Sequence, residues 1–212
     1  MNFIHKPFRY TCWNATLYII AINVFIWFMM RLAPGLGTYM ALNPYNLIKF
    51  HMYWQPFTYM WMHDLSSIQH LLFNMLGLFF FGYVTERALG SKEFLLLYFL
   101  SGIFCGLISL AIFIVSGSWN VFLYGASGAV YAVMFAYAVL FPRAKIFVWY
   151  VLPVPAPLLV LAYAAIELFD QIFSLKSGIS HTAHLAGFAF AWLYFIIRMG
   201  IHPLKVWKDA YR

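Results

Sequence analysis

Tyr124-Gly125-Ala126-Ser127-Gly128-Ala129-Val130-Tyr131 sets two glycines and a hydroxyl at the head of an apolar run that continues to Phe141. Near the other end of the chain, His181-Thr182-Ala183-His184-Leu185-Ala186-Gly187 sets two imidazoles in an equally apolar context. A serine hydroxyl is a weak nucleophile until a base takes its proton, and an imidazole can do so at neutral pH. If the fold joins the two stretches, Ser127 is a nucleophile and His184 its base. What the rest of the chain builds decides whether they meet.

Of the 212 residues, 65% are hydrophobic and only 9% charged, with a mean hydropathy of +0.81. A soluble domain carries roughly a quarter charged residues, so the composition points to one integral membrane domain of the all-α class. The aromatic share of 22% agrees, because Trp and Tyr collect at both headgroup levels of a bilayer. The net charge of +7 comes from cations scattered singly and in pairs between apolar segments. That is the distribution of topology signals, and no nucleic-acid partner is expected. Nothing places Cys12 beside Cys105, so no disulfide is expected. The first apolar run lacks a small-residue cleavage site and reads as a retained span, not a removed signal.

Apolar runs at about 13–31, 68–86, 94–115, 122–141, 156–174 and 182–198 are each long enough to cross roughly 30 Å of hydrocarbon at about 1.5 Å per residue. The expected architecture is a six-transmembrane-helix bundle over residues 13–198, with tails at 1–12 and 199–212. The aromatic connection over residues 32–67 is expected in the outer interface. An even number of spans puts both termini on one side. Lys6, Arg9, Arg87, Lys92, Arg143, Lys145, Arg198, Lys205, Lys208 and Arg212 fall on that side, against Arg31, Lys49 and Lys176 on the other. The positive-inside rule makes the terminal side cytoplasmic. No internal repeat is visible, which disfavours an inverted-repeat transporter.

Spans two, four and six run in one direction, so depth can be counted from the cation at each inner end. Ser127 lies sixteen residues before Arg143, His184 fourteen before Arg198, and Asn74 and His70 thirteen and seventeen before Arg87. These offsets correspond to roughly 24, 21, 20 and 26 Å above the inner boundary. Polar groups in hydrocarbon are costly and face a bundle interior or a wet cavity, so four at one level imply one cavity open outward. His70 and Asn74 share a helix face, and Tyr131 lies one turn below Ser127. Gly128, Ala132 and Ala136 on span four, with Ala183, Gly187 and Ala191 on span six, are small-residue faces that allow close helix packing. Packing alone could explain each small residue taken singly; their coincidence with the polar level favours a site.

In such a site His70, Asn74 and the Ser127 N–H at a helix start would stabilise an oxyanion. Gly125 and Gly128 would leave room for a substrate backbone. With no carboxylate at this level on spans two, four and six, the expectation is a Ser-His dyad, Tyr131 steadying the imidazole by packing. Two cofactor readings compete less well. A metal held by His181, His184, Glu167 and Asp170 lacks the His-Glu-x-x-His pattern and leaves Ser127 idle. A haem between His70 and His184 leaves Asn74 unexplained. No metal or cofactor is expected. Glu167 and Asp170 are expected to pair with Lys176 or His181.

These residues resemble the rhomboid intramembrane serine proteases. Gly125-Ala126-Ser127-Gly128 with Tyr131 is similar to the family's nucleophile turn, Ala183-His184-Leu185-Ala186-Gly187 to its base motif, and His70-Leu71-Leu72-Phe73-Asn74 to its oxyanion pair. Glu86-Arg87-Ala88-Leu89-Gly90 resembles the close of the second span. The likeness runs over about residues 13–198 and implies a serine endopeptidase that cleaves single-span membrane proteins near the outer face without a cofactor. It also implies that span five, about 157–174, and the following cap at 175–179 gate substrate access. The form implied is the minimal bacterial type, in the bacterial inner membrane, with no amino-terminal soluble domain and no seventh span. A non-catalytic relative that only binds transmembrane helices is the alternative. Three positions depart from the family pattern: Gln55 follows Trp54 where an arginine is usual, Ala191 replaces a glycine, and Tyr124 replaces a small residue.

Overall fold

The protein is described here by a computed structural model covering residues 7–148, 151–173 and 179–212. It is a helical bundle. α1 (Ala15–Leu32) leads into a first loop carrying three short helices, α2 (Leu36–Met40), α3 (Pro44–Lys49) and α4 (Gln55–Thr58), and a 3-10 turn at Tyr59–Trp61. α5 (Ile68–Gly77) continues through a wide π turn at Leu78–Gly82 into α6 (Tyr83–Leu89), and α7 spans Ser91–Val115. α8 (Ser127–Leu140) is followed by β1 (Lys145–Val148) and β2 (Leu152–Pro155), then α9 (Ala156–Phe173), α10 (Ile179–Ile197) and α11 (Pro203–Ala210).

Among the described residues four helical stretches are long and apolar enough to cross a membrane: Ala15–Leu32, Ile68–Leu89, Ser91–Val115 and Ala156–Phe173. The other two expected spans are apolar but shorter in the described residues, Ser127–Leu140 and His181–Ile197. The fourth falls short of residues 122–141 because Gly125 has φ +125° and Leu123 pairs as extended backbone with Leu42. The helix therefore starts at Ser127, and its 14 residues make only about 21 Å of rise.

Two buried carboxylates bind one end of the bundle together. α1 has no side-chain cap of its own. Glu86 supplies it from α6, accepting from the N–H groups of Ala15 (2.6 Å) and Thr16 (2.8 Å) and from the Thr16 hydroxyl (2.7 Å). Glu93, in the first turn of α7, pairs with Arg198 after α10 (2.8 Å) and accepts from the Phe8 N–H (3.2 Å). A helix end or a carboxylate buried without partners would be destabilising; here each meets the other's need. Beyond α10 the expected tail is instead a docked helix. Trp207 of α11 is buried and donates to the Ala138 carbonyl (2.9 Å), while Arg143 donates to that of Ala210 (2.8 Å). Phe8 and Arg198 thus meet at the end of the bundle that holds Glu86 and Glu93.

The connection from α8 to α9, expected as a loop, pairs β1 and β2 antiparallel with Lys145 opposite Pro155. Pro153 and Pro155 are tolerated because a two-stranded ribbon has only edges. The first loop is more than an anchor, since Leu42, Gln55, Tyr59, Met60 and His63 are buried. Gln55 bonds across the loop: its amide donates to the Thr38 carbonyl (3.2 Å), and its oxygen accepts from the Asn43 N–H (3.2 Å).

Candidate active site

The two small-residue faces meet. A Cβ on Gly187 would lie 2.2 Å from the Gly128 carbonyl oxygen, and one on Gly128 would lie 3.2 Å from that of Ala183. Ala132 and Ala191, further along the same faces, have no exposed surface. Only residues without bulk permit this approach of α8 to α10. It carries Ser127, the first residue of α8, and His184, in the second turn of α10, to the wall of one cavity of about 310 Å3. His70, Asn74, Gly125, Gly128 and Tyr131 line the same cavity. Gly187 does not; its part is the helix contact.

The turn before Ser127 is held by the first loop. Leu123 and Leu42 exchange backbone bonds of 2.9 Å, and the Gly125 N–H donates to the Tyr59 carbonyl (3.0 Å). A side chain at Gly125 would be strained by its φ and would press within 2.9 Å of His70 Nε2. That same point lies 3.8 Å from Ser127 Oγ, so His70 Nε2 and the hydroxyl border one small space.

The tautomer of His70 follows from its partner. The Asp64 N–H donates to His70 Nδ1 (3.3 Å), so a neutral ring carries its proton on Nε2, the nitrogen that faces this space. Asn74 donates one amide hydrogen to the His70 carbonyl one turn back (2.7 Å). Asp64 is itself fixed: the Ser66 hydroxyl (2.6 Å) and N–H (2.8 Å) bond its carboxylate and hold it below the usual carboxylate range. Behind His70, with ring centroids 5.2 Å apart, lies His63. Burial, with His70 beside it, pushes His63 down to about 3, and neither ring nitrogen has a partner among the described residues.

His184 is held from two sides. Its ring stacks on Tyr131 with centroids 4.1 Å apart and planes 7° from parallel, as the packing reading expects. The expectation that no carboxylate attends the imidazole is corrected by the fold. Glu167 reaches in from α9 and places Oε1 2.9 Å from His184 Nδ1, Oε2 2.6 Å from His181 Nδ1, and accepts from the Tyr131 hydroxyl (2.5 Å). Comparing only helices of one direction misses it, because α9 runs the opposite way. The pairing of Glu167 with His181 is found; Lys176 lies outside the described residues, as does most of the expected cap at 175–179. Donor atoms of Glu167, His181 and His184 lie within 4.8 Å of one another, a set able to hold a divalent cation, although each already has a hydrogen-bond partner in the cluster.

Tyr124 also lines the cavity and faces His70 with ring centroids 6.0 Å apart.

Residues 51–200 match the Rhomboid domain. Over 140 residues the chain is 35% identical to RHOMBOID-like protein 12, mitochondrial, of Arabidopsis thaliana, covering 59% of this chain and 41% of that protein. It is 30% identical over 120 residues to Rhomboid protease GlpG of Enterobacter sp. (strain 638), covering 56% and 41%. To Rhomboid protease GlpG of Salmonella newport (strain SL254) it is 34% identical over 88 residues, covering 42% and 29%. The chain thus spans about two fifths or less of the length of these relatives. With the domain matched over most of its length and apolar helices throughout, the chain is an integral membrane protein that belongs to the rhomboid family.

Proposed function

We propose that the chain is an intramembrane serine endopeptidase acting on single-span membrane proteins near the outer face of the bilayer. The observation that carries this reading is the shared cavity: Ser127, His184, His70 and Asn74 all line it. Ser127 Oγ attacks the scissile carbonyl while His184 Nε2 takes its proton, then returns it to the leaving amine. Water, deprotonated by the same imidazole, releases the acyl group and restores the hydroxyl. His70 Nε2–H, the Asn74 amide and the Ser127 N–H would donate to the oxyanion. Pre-aimed donors of this kind are each worth about 10²–10³ in turnover.

In this reading α8 and α10 are the fourth and sixth of six spans, and both termini are cytoplasmic by ten cations against three. The membrane is a bacterial inner membrane. No metal enters the reaction. A fluorophosphonate should label the wild type and not Ser127→Ala, and the wild type should cleave a single-span substrate in detergent. Labelling that ignores the substitution would reject the nucleophile. Labelling without cleavage of any substrate would favour a protein that binds transmembrane helices.

A further inference from the structure

We propose that Glu167 is the positioning residue of the base, so that the site works as Ser127, His184 and Glu167 in series and not as a dyad. This rests on the reading of Ser127 and His184 as nucleophile and base. Stacking on Tyr131 fixes the plane of the imidazole but not which edge points where: half a turn about the Cβ–Cγ bond exchanges the edges and keeps the stack. A directional bond is needed to choose. Glu167 Oε1 provides it at 2.9 Å from Nδ1.

A carboxylate can only accept, so a neutral His184 bonded to it must carry its proton on Nδ1. Nε2 is then left with a lone pair, the one form able to take the Ser127 proton. When that proton arrives the ring becomes a cation beside a largely buried anion, where such attraction is stronger than in bulk water. The carboxylate keeps its own electrons throughout; the proton travels only between Oγ, Nε2 and the leaving amine.

The carboxylate is itself held. The Tyr131 hydroxyl bonds Oε1 (2.5 Å) and His181 Nδ1 bonds Oε2 (2.6 Å). Tyr131 thus supports the base twice, by its ring face and through Glu167. A plain structural account would make Glu167 a buried group merely satisfied by donors, pinning α9 to α10. The two accounts differ in what they require of His184: the pin needs any hydrogen-bonded group, whereas the relay needs one that only accepts.

Glu167→Gln separates them, because the amide keeps the size but can donate to Nδ1 and favour the tautomer with Nε2 protonated. The relay predicts a fall in kcat of about 10²–10⁴ with KM within about twofold and an unchanged melting temperature. Equal kcat in a folded Glu167→Gln overturns it. The second readout needs no turnover: in 15N-histidine spectra of Ser127→Ala, the His184 signals, assigned by their loss in the added His184→Gln, should show Nδ1 protonated and Nε2 bare. The opposite pattern overturns the proposal even if Glu167→Gln fails to fold. Absence of fluorophosphonate labelling in the wild type would instead reject the protease reading, so the two failures are distinguishable.

Discussion

At Gly187 the fold and the chemistry depend on one missing methyl group. A Cβ there would sit 2.2 Å from a backbone oxygen of α8, and backbone cannot rotate aside as a side chain can. Gly187→Ala should therefore cost about 1–3 kcal/mol of overpacking or push α10 outward, and a thermal melt in detergent should fall by several degrees; an unchanged melt would mean the helices do not pack this closely. His63 gives a second test at this scale. Its folded pKa of about 3 lies below the ordinary 6.5, so the unfolded chain binds a proton that the folded one refuses between those values. Its contribution is full above pH 6.5 and is lost on acidification towards 3. In His63→Leu the pH dependence of stability over that interval should flatten by up to about 1.4 kcal/mol per pH unit. Identical slopes would remove His63 as the cause. The four polar residues of the cavity were legible because depth along parallel helices is simple arithmetic. Glu167 was visible as a carboxylate in a span, a functional signal in itself, and its pairing with His181 was expected, but its bond to His184 was not, since only packing shows which side of α9 faces α10.

The helix that matters most, α8, is short because its front end is pinned by another element. The sequence marks the start at Ser127 through the glycines around it, but not that residues 121–126 would pair with the first loop. That loop looked like an interfacial segment because its aromatics are mixed with polar residues. Asn43, Asn46 and Gln55 turn out to be buried and bonded. Asn43 donates to the carbonyls of Trp119 (3.0 Å) and Val121 (2.9 Å), and Gln55 bonds across the loop. Such long-range partners carry no local pattern. Gln55→Ala should leave these buried groups unpaired at a cost of about 1–3 kcal/mol, and limited proteolysis within residues 32–67 should quicken. A digestion pattern like the wild type's would show that the loop does not depend on Gln55. Gly125→Ala belongs here too: strain at φ +125° and pressure on His70 should lower turnover at least tenfold while the melt shifts little. Full activity in that variant would mean the turn is not held as described.

For the whole molecule, composition announced an integral membrane protein. Phe8 and Arg198 both bond Glu93, at the end of the bundle that also holds Glu86. Orientation can be read from the cysteines, because Cys12 is exposed at that end and Cys105 is buried. A membrane-impermeant maleimide should label Cys12 only in inside-out vesicles and leave Cys105 unmodified; labelling in intact cells would reverse the topology. What composition could not supply was the antiparallel pairing of α9 with α10, which turns an apolar bundle with a serine and a histidine into an ordered set of donors and acceptors. The most direct test of that set is fluorophosphonate labelling of the purified protein, wild type beside Ser127→Ala and His184→Ala. The account predicts one labelled site in the wild type, none in Ser127→Ala, and labelling slowed by at least about a hundredfold in His184→Ala. Equal labelling of all three would contradict it.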